Sequence, residues 1–237
     1  MNIRSKLNPK VEVSVIAGHF ATRHSHNSHY IDITRMKHEH TMAREAAMTL
    51  AQRYAYDKGV DTIVCLDGSE VLGAFLARHL TKNDRFAVNS DKNINVITPE
   101  YDSNGQLIFR DNLSPMVTGK DVLILISTVN SGKSVRRAVE CVQYYGGKVQ
   151  GIASGFSTLD AVDDIPIYSL FTPEDIPGLS LIHISEPTSP RTAPCVPRVL
   201  KLMPCPTATA CPVCNRYFFA AARRTAAFFN LALDHRI

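Results

Sequence analysis

The chain of 237 residues is sized for one large domain or two small ones, and its 45% hydrophobic content is ordinary globular usage that excludes wholesale disorder. No run approaches eighteen apolar residues, so no membrane-spanning helix is expected. The opening MNIRSKLNPKVEVSV lacks the apolar core and cleavage site of an export signal, so a cytoplasmic protein is expected. The formal charge of +4 hides a split: residues 179–237 hold seven Lys/Arg against two acids, and residues 1–178 hold nineteen against twenty. The main body is therefore near neutral, and a nucleic-acid partner loses its charge argument.

In chain order, residues 39–58 carry Ala43, Ala47, Leu50, Ala51 and Tyr54 at helical spacing, with Gly59 placed to cap the end. Thr62 to Leu66 (TIVCL) reads as a short buried strand. Glu70 to Leu80 returns to helical period through Val71, Leu72, Phe75, Leu76 and Leu80. Asn95 to Thr98 reads as a strand, Glu100 to Gln106 as a turn built on Asn104-Gly105, and Leu107 to Phe109 as the partner strand. Asp121 to Ser127 (DVLILIS) is the most apolar run and is expected as a central parallel strand. Ser134 to Tyr145 predicts a helix with Val135, Ala138, Val139 and Val142 inward, ended by Gly146-Gly147. Val149 to Ser154 and Ile167 to Leu170 predict two further strands. The alternation predicts an α/β fold with a doubly wound, mostly parallel sheet and a small N-terminal hood segment.

Ligands of such sheets sit beyond the carboxyl ends of the strands. Two strand-to-helix junctions have suitable chemistry. In Asp67-Gly68-Ser69-Glu70, Gly68 permits close backbone approach and the following helix offers free N–H groups to an anion; an ordinary tight turn capped by Ser69 reads equally well. In Ser127-Thr128-Val129-Asn130-Ser131-Gly132-Lys133-Ser134, hydroxyls, an amide, a glycine and a lysine gather before a helix N-terminus, a set suited to wrapping a monophosphate, with a plain capped turn as the alternative. The first glycine of a P-loop is absent there, its place taken by Ser127. Asp67 and Glu70 are the carboxylates nearest to any metal carried by a ligand, with helix capping as their alternative role. His24, His26, His29, His38 and His40 crowd into seventeen residues. Strand alternation puts His24 and His26 on one face, either as metal ligands or as solvated, anion-binding groups, and the second is the commoner arrangement. Cys65 and Cys141 read as buried thiols.

At these residues the chain resembles the type I phosphoribosyltransferases, and most of all their orotate phosphoribosyltransferase group. Val122 to Ser134 (VLILISTVNSGKS) follows the outline of the family signature, and Gly119-Lys120-Asp121 and Tyr145-Gly146-Gly147-Lys148-Val149 flank it suitably. Asp61 to Ala77 is similar to the family's pyrophosphate loop and helix. His19 to Asp32, ending Tyr30-Ile31-Asp32, is similar to the N-terminal segment that helps hold orotate. The resemblance covers roughly residues 10–170. It implies transfer of a 5-phosphoribosyl group from phosphoribosyl pyrophosphate to a nucleobase, with magnesium brought by the pyrophosphate, a homodimer, and Tyr30 as a base contact. The family's acidic pair, which holds the ribose hydroxyls, falls here on Ile126 and Ser127. Its cation-rich mobile loop, within Thr98 to Thr118, retains only Arg110 as a cation to meet departing pyrophosphate; pairing with Asp111 is the alternative for that residue. The missing acids leave a second function open: a regulator that binds a phosphoribosyl ligand without turning it over.

Composition changes abruptly after Gly178. All twelve glycines lie at or before it, while seven of thirteen prolines and four of six cysteines follow it. The stretch Leu179 to Thr188 (LSLIHISEPT) resembles a translated sequencing adaptor, so residues 1–178 are expected as the phosphoribosyltransferase-like domain and 179–237 as a non-native or disordered tail. The alternative for the tail is a zinc module on Cys211-Pro-Val-Cys214, for which Cys195 and Cys205 provide no second knuckle. Ala220 to Leu233 has helical composition.

Overall fold

The computed structural model describes residues 1–21, 25–82, 87–103, 106–176 and 181–183. His24, Asn104-Gly105, the tail cysteines and the Ala220–Leu233 segment lie outside the described residues, as does the side chain of His26. The chain divides into two compact units: Met1–Ser14 with Asp32–Pro177, and Val15–Ile31 with Gly178–Ile237.

The chain opens with β1 (Asn2–Arg4), β2 (Glu12–Ala21) and β3 (Ser25–Asp32). Val11, Val13 and Val15 alternate inward at 0–2% exposure, the period-2 pattern that makes this run a strand. With β12 (Leu181–His183), these strands form a four-stranded sheet ordered β1-β2-β3-β12, in which β1 pairs antiparallel with β2 and β12 antiparallel with β3. Two helices absent from or shortened in the sequence reading follow. The five-residue α1 (Thr34–His38) had no periodic signal, and α2 runs from His40 to Tyr54 rather than from 39 to 58. Gly59 is not its cap: Ala55 closes the helix, because the buried Tyr54 donates its phenol to Ile152 O at 2.9 Å and the chain then turns toward the buried Val60.

The first unit is built on six strands ordered β10-β11-β9-β8-β4-β5. These are β4 (Thr62–Cys65), β5 (Asn95–Ile97), β8 (Asp121–Val129), β9 (Lys148–Ser157), β10 (Ala161–Val162) and β11 (Ile165–Phe171). Strands β5, β4, β8, β9 and β11 run parallel, and only the edge strand β10 is antiparallel. The central position of β8 agrees with its apolar sequence. Two helices complete the alternation, α3 (Glu70–Leu80) and α4 (Lys133–Tyr144). Leu107 does not pair with the Asn95 strand, as the sequence had indicated. Instead β6 (Glu100–Tyr101) pairs with β7 (Leu107–Ile108) in a separate hairpin, since Pro99, which cannot donate to a ladder, divides β5 from β6.

Strand parity sorts the core into two layers. Val64, Val122, Ile124, Ile126 and Ile152 pack with Val135, Ala138, Val139 and Val142 of α4. On the opposite face, a β-carbon at Gly73 of α3 would overlap Cys65 Sγ and lie 3.5 Å from Leu125, so the bare glycine lets α3 settle onto the sheet. That seating turns Val71 outward (41% exposed), correcting its expected place in the buried stripe. Helices thus cover both faces, as the doubly wound reading required.

Candidate functional site

Strands β4 and β8 are paired from Thr62↔Val122 to Cys65↔Leu125, so the loops that follow them open on one edge of the sheet. In the first loop, Asp67 (φ 55°) and Gly68 (φ 71°) are consecutive left-handed residues that reverse the chain before α3. Ser69 is completely buried. Its hydroxyl is shared between the carbonyls of Leu66 (2.8 Å) and Leu125 (3.2 Å), so it fastens the loop to β8. Thr98, just past β5, donates its hydroxyl to Glu70 Oε1 at 3.1 Å. The Asp67 side chain reaches the surface, yet the protein around its carboxyl strips away enough water to raise its pKa above the ordinary range, against the opposing pull of Lys37. Burial, reinforced by Glu70, pushes the Cys65 thiol up to about 12.

The second loop is shorter than the sequence indicated. Strand β8 continues through Ser127, Thr128 and Val129, because β9 runs on to Ser157 and pairs with it through Thr128↔Phe156 and Val129↔Ser157. The turn itself is Asn130-Ser131-Gly132. Thr158 ties it to the end of β9, donating its N–H to Val129 O (3.0 Å) and its hydroxyl to Asn130 O (2.6 Å). Gly132 is left-handed (φ 73°), and a β-carbon there would lie 3.0 Å from Leu159 and 3.1 Å from Val162, so both conformation and space require glycine. Lys133 and Ser134 are exposed in the first turn of α4, whose leading N–H groups have no intrahelical acceptor. The edge therefore presents one loop rich in amides and hydroxyls beside another bearing two carboxylates.

At the two acidic positions of the signature, Ile126 is 1% exposed inside the apolar α4 layer, and Ser127 is 7% exposed on the opposite side of the strand. Arg110 pairs with Glu100 and not with Asp111. The register Glu100↔Ile108 brings it beside that carboxylate, which it grips twice, Nε to Oε1 at 2.7 Å and Nη2 to Oε2 at 2.8 Å. Partial burial and Asp67 raise the phenol of Tyr101 in the same hairpin, and Arg137 of α4 opposes them. Tyr30, on β3 of the second unit, stands 46% exposed with its ring 5.5 Å from that of Phe20. Lys37 and Thr98 escaped the sequence reading, because neither lies within either loop motif and only the fold carries them to the carboxylate loop.

No protein-family model and no curated protein matches the chain. Solved structures do. UMP synthase from Leishmania donovani superposes with a TM-score of 0.50 at 15% identity, over 68% of this chain and 34% of that one. An orotate phosphoribosyltransferase from Mycobacterium tuberculosis H37Rv gives 0.49 at 18% identity, over 69% and 91%. A phosphoribosyltransferase from Corynebacterium diphtheriae gives 0.49 at 19%, over 68% and 90%. Over the matched 68% of the chain, the fold is the one seen in the UMP synthase structure. At these identities the likeness is one of fold, and the chemistry has to be argued from the two loops. Among the described residues, no helix is long and apolar enough to cross a membrane.

Proposed function

We propose that the chain binds phosphoribosyl pyrophosphate at this edge and transfers its 5-phosphoribosyl group to a nucleobase, orotate being the first candidate. The observation that carries the reading is the pairing of β4 with β8, which sets a hydroxyl-rich, glycine-led turn beside a carboxylate-bearing turn at the open end of a phosphoribosyltransferase fold. In this reading, Thr128, Asn130, Ser131, Lys133 and Ser134, with the amides around Gly132, hold the 5′-phosphate dianion at the positive end of α4. Ser127 contributes from near the end of β8. Asp67 and Glu70 offer hard oxygen donors that fit a magnesium ion delivered with the pyrophosphate; such an ion neutralises the charge that the leaving group develops. Ser69 sets the loop's position, and Arg110 released from Glu100 meets the departing pyrophosphate.

One observation favours a second reading, a phosphoribosyl-ligand binder without turnover. Ile126 replaces an acid with a side chain sealed in the core, so that position offers the ribose hydroxyls no acceptor. The two readings separate by calorimetry of the full chain with phosphoribosyl pyrophosphate and magnesium, followed by pyrophosphate release on adding orotate. Micromolar binding that Ser131→Asp abolishes, with orotate-dependent release, is the result expected of the enzyme. Binding without release under any nucleobase would leave the regulator. No binding by folded protein would contradict both.

A further inference from the structure

The carboxylate loop poses an electrostatic problem that its own sequence does not solve. Asp67 and Glu70 stand beside the space where the pyrophosphate would lie, and residues 66–70 contain no cation. We infer that Lys37 is the missing cation and binds the pyrophosphate half of the ligand, an inference that rests on the phosphoribosyl reading above. A β-carbon placed on Gly68 would lie 3.5 Å from both Cε and Nζ of Lys37 and 3.9 Å from Glu70 Oε2, so the ammonium lies directly over the turn. It is half-buried and forms no ion pair with any described residue, although it acts electrostatically on Asp67.

What places it there is the seating of α1. Met36 (1% exposed) and Ile33 (6%) are buried, and both press on Gly155 of β9. A β-carbon at that glycine would lie 3.2 Å from Met36 Sδ, 3.3 Å from Ile33 Cδ1 and 2.9 Å from the Ser127 carbonyl. The bare backbone at 155 lets α1 sit against the end of β9 beside Ser127, and the residue after Met36 then comes over Gly68. Lys37 is thus a binding residue and Gly155 a positioning residue. The first is contributed by a segment thirty positions upstream of the loop it serves.

The test measures affinity of the full chain for magnesium pyrophosphate, magnesium phosphoribosyl pyrophosphate and ribose 5-phosphate in wild type, Lys37→Gln and Lys37→Arg. If the ammonium donates a charge-assisted hydrogen bond to the pyrophosphate, Lys37→Gln weakens the first two ligands by roughly 10- to 100-fold while ribose 5-phosphate, held at the other loop, is unchanged. Lys37→Arg, which keeps the charge, restores most of that affinity. Wild-type affinity of Lys37→Gln for phosphoribosyl pyrophosphate would overturn the role of Lys37 and leave the site's reading intact. Equal weakening of all three ligands would also overturn it, pointing to general damage. Failure of the wild type to bind phosphoribosyl pyrophosphate would overturn the reading and the inference with it.

Discussion

Asp67 holds a left-handed backbone conformation at a position where neither its charge nor its geometry is comfortable. Its folded carboxyl is raised above the ordinary 3.8 by loss of water, with Lys37 only partly compensating. The neutral form is therefore the one the fold prefers: the stability this group contributes is present below pH 3.8 and is lost as pH rises through the raised value. Asp67→Asn is expected to raise the melting temperature at pH 7, and the pH-dependent part of that gain should vanish in melts taken below pH 3.8. A gain of equal size at both pH values would assign the effect to asparagine's tolerance of positive φ alone. The loop that contains Asp67 was legible as a motif, but its internal division of labour was not. Ser69 looked like a ligand contact or a helix cap, whereas its hydroxyl is buried against the carbonyl of Leu66, just past β4, and that of Leu125 in β8, a relation created by β4 pairing with β8. Gly132 was legible as a member of the second loop, whereas its left-handed backbone and the crowding by Leu159 and Val162 became visible only in the fold.

The elements follow from periodicity wherever packing agrees with propensity, and depart from it where glycine permits close contact. Glu70 to Leu80 was read with both ends in place, yet Val71 faces outward because Gly73 sets the approach of α3 to Cys65 and Leu125. Gly73→Ala tests that seam. Alanine gains about 1 kcal/mol of helix propensity over glycine, while overpacking a filled core costs roughly 1–3 kcal/mol, so a net loss of stability is expected from urea unfolding midpoints. A more stable variant would mean that α3 has room to shift and that the close approach is not what orients it. Helix α1 was invisible for a related reason: five residues offer too little period to detect, and its place depends on Gly155, more than a hundred residues away. The β6–β7 hairpin was missed in its pairing because Pro99 ends one strand and begins another within three residues. Strand β8 was read two residues short, since its last pairs depend on the length of β9.

For the molecule as a whole, the doubly wound class was legible because each strand-helix pair carries its own hydrophobic pattern and the order of the pairs is the topology. The site was legible as two loops and illegible as a constellation. Lys37 and Thr98 reach the carboxylate loop from α1 and the end of β5, and no linear spacing unites them with it. In the proposed reading both loops close on one ligand. Amide hydrogen exchange of the full chain, with and without magnesium phosphoribosyl pyrophosphate, tests it most directly. Closure of both loops on one ligand protects the amides of residues 66–70 and of 130–135 together, whereas magnesium pyrophosphate alone protects only 66–70. Protection of neither loop by saturating ligand, or protection confined to some other part of the sheet, would contradict it.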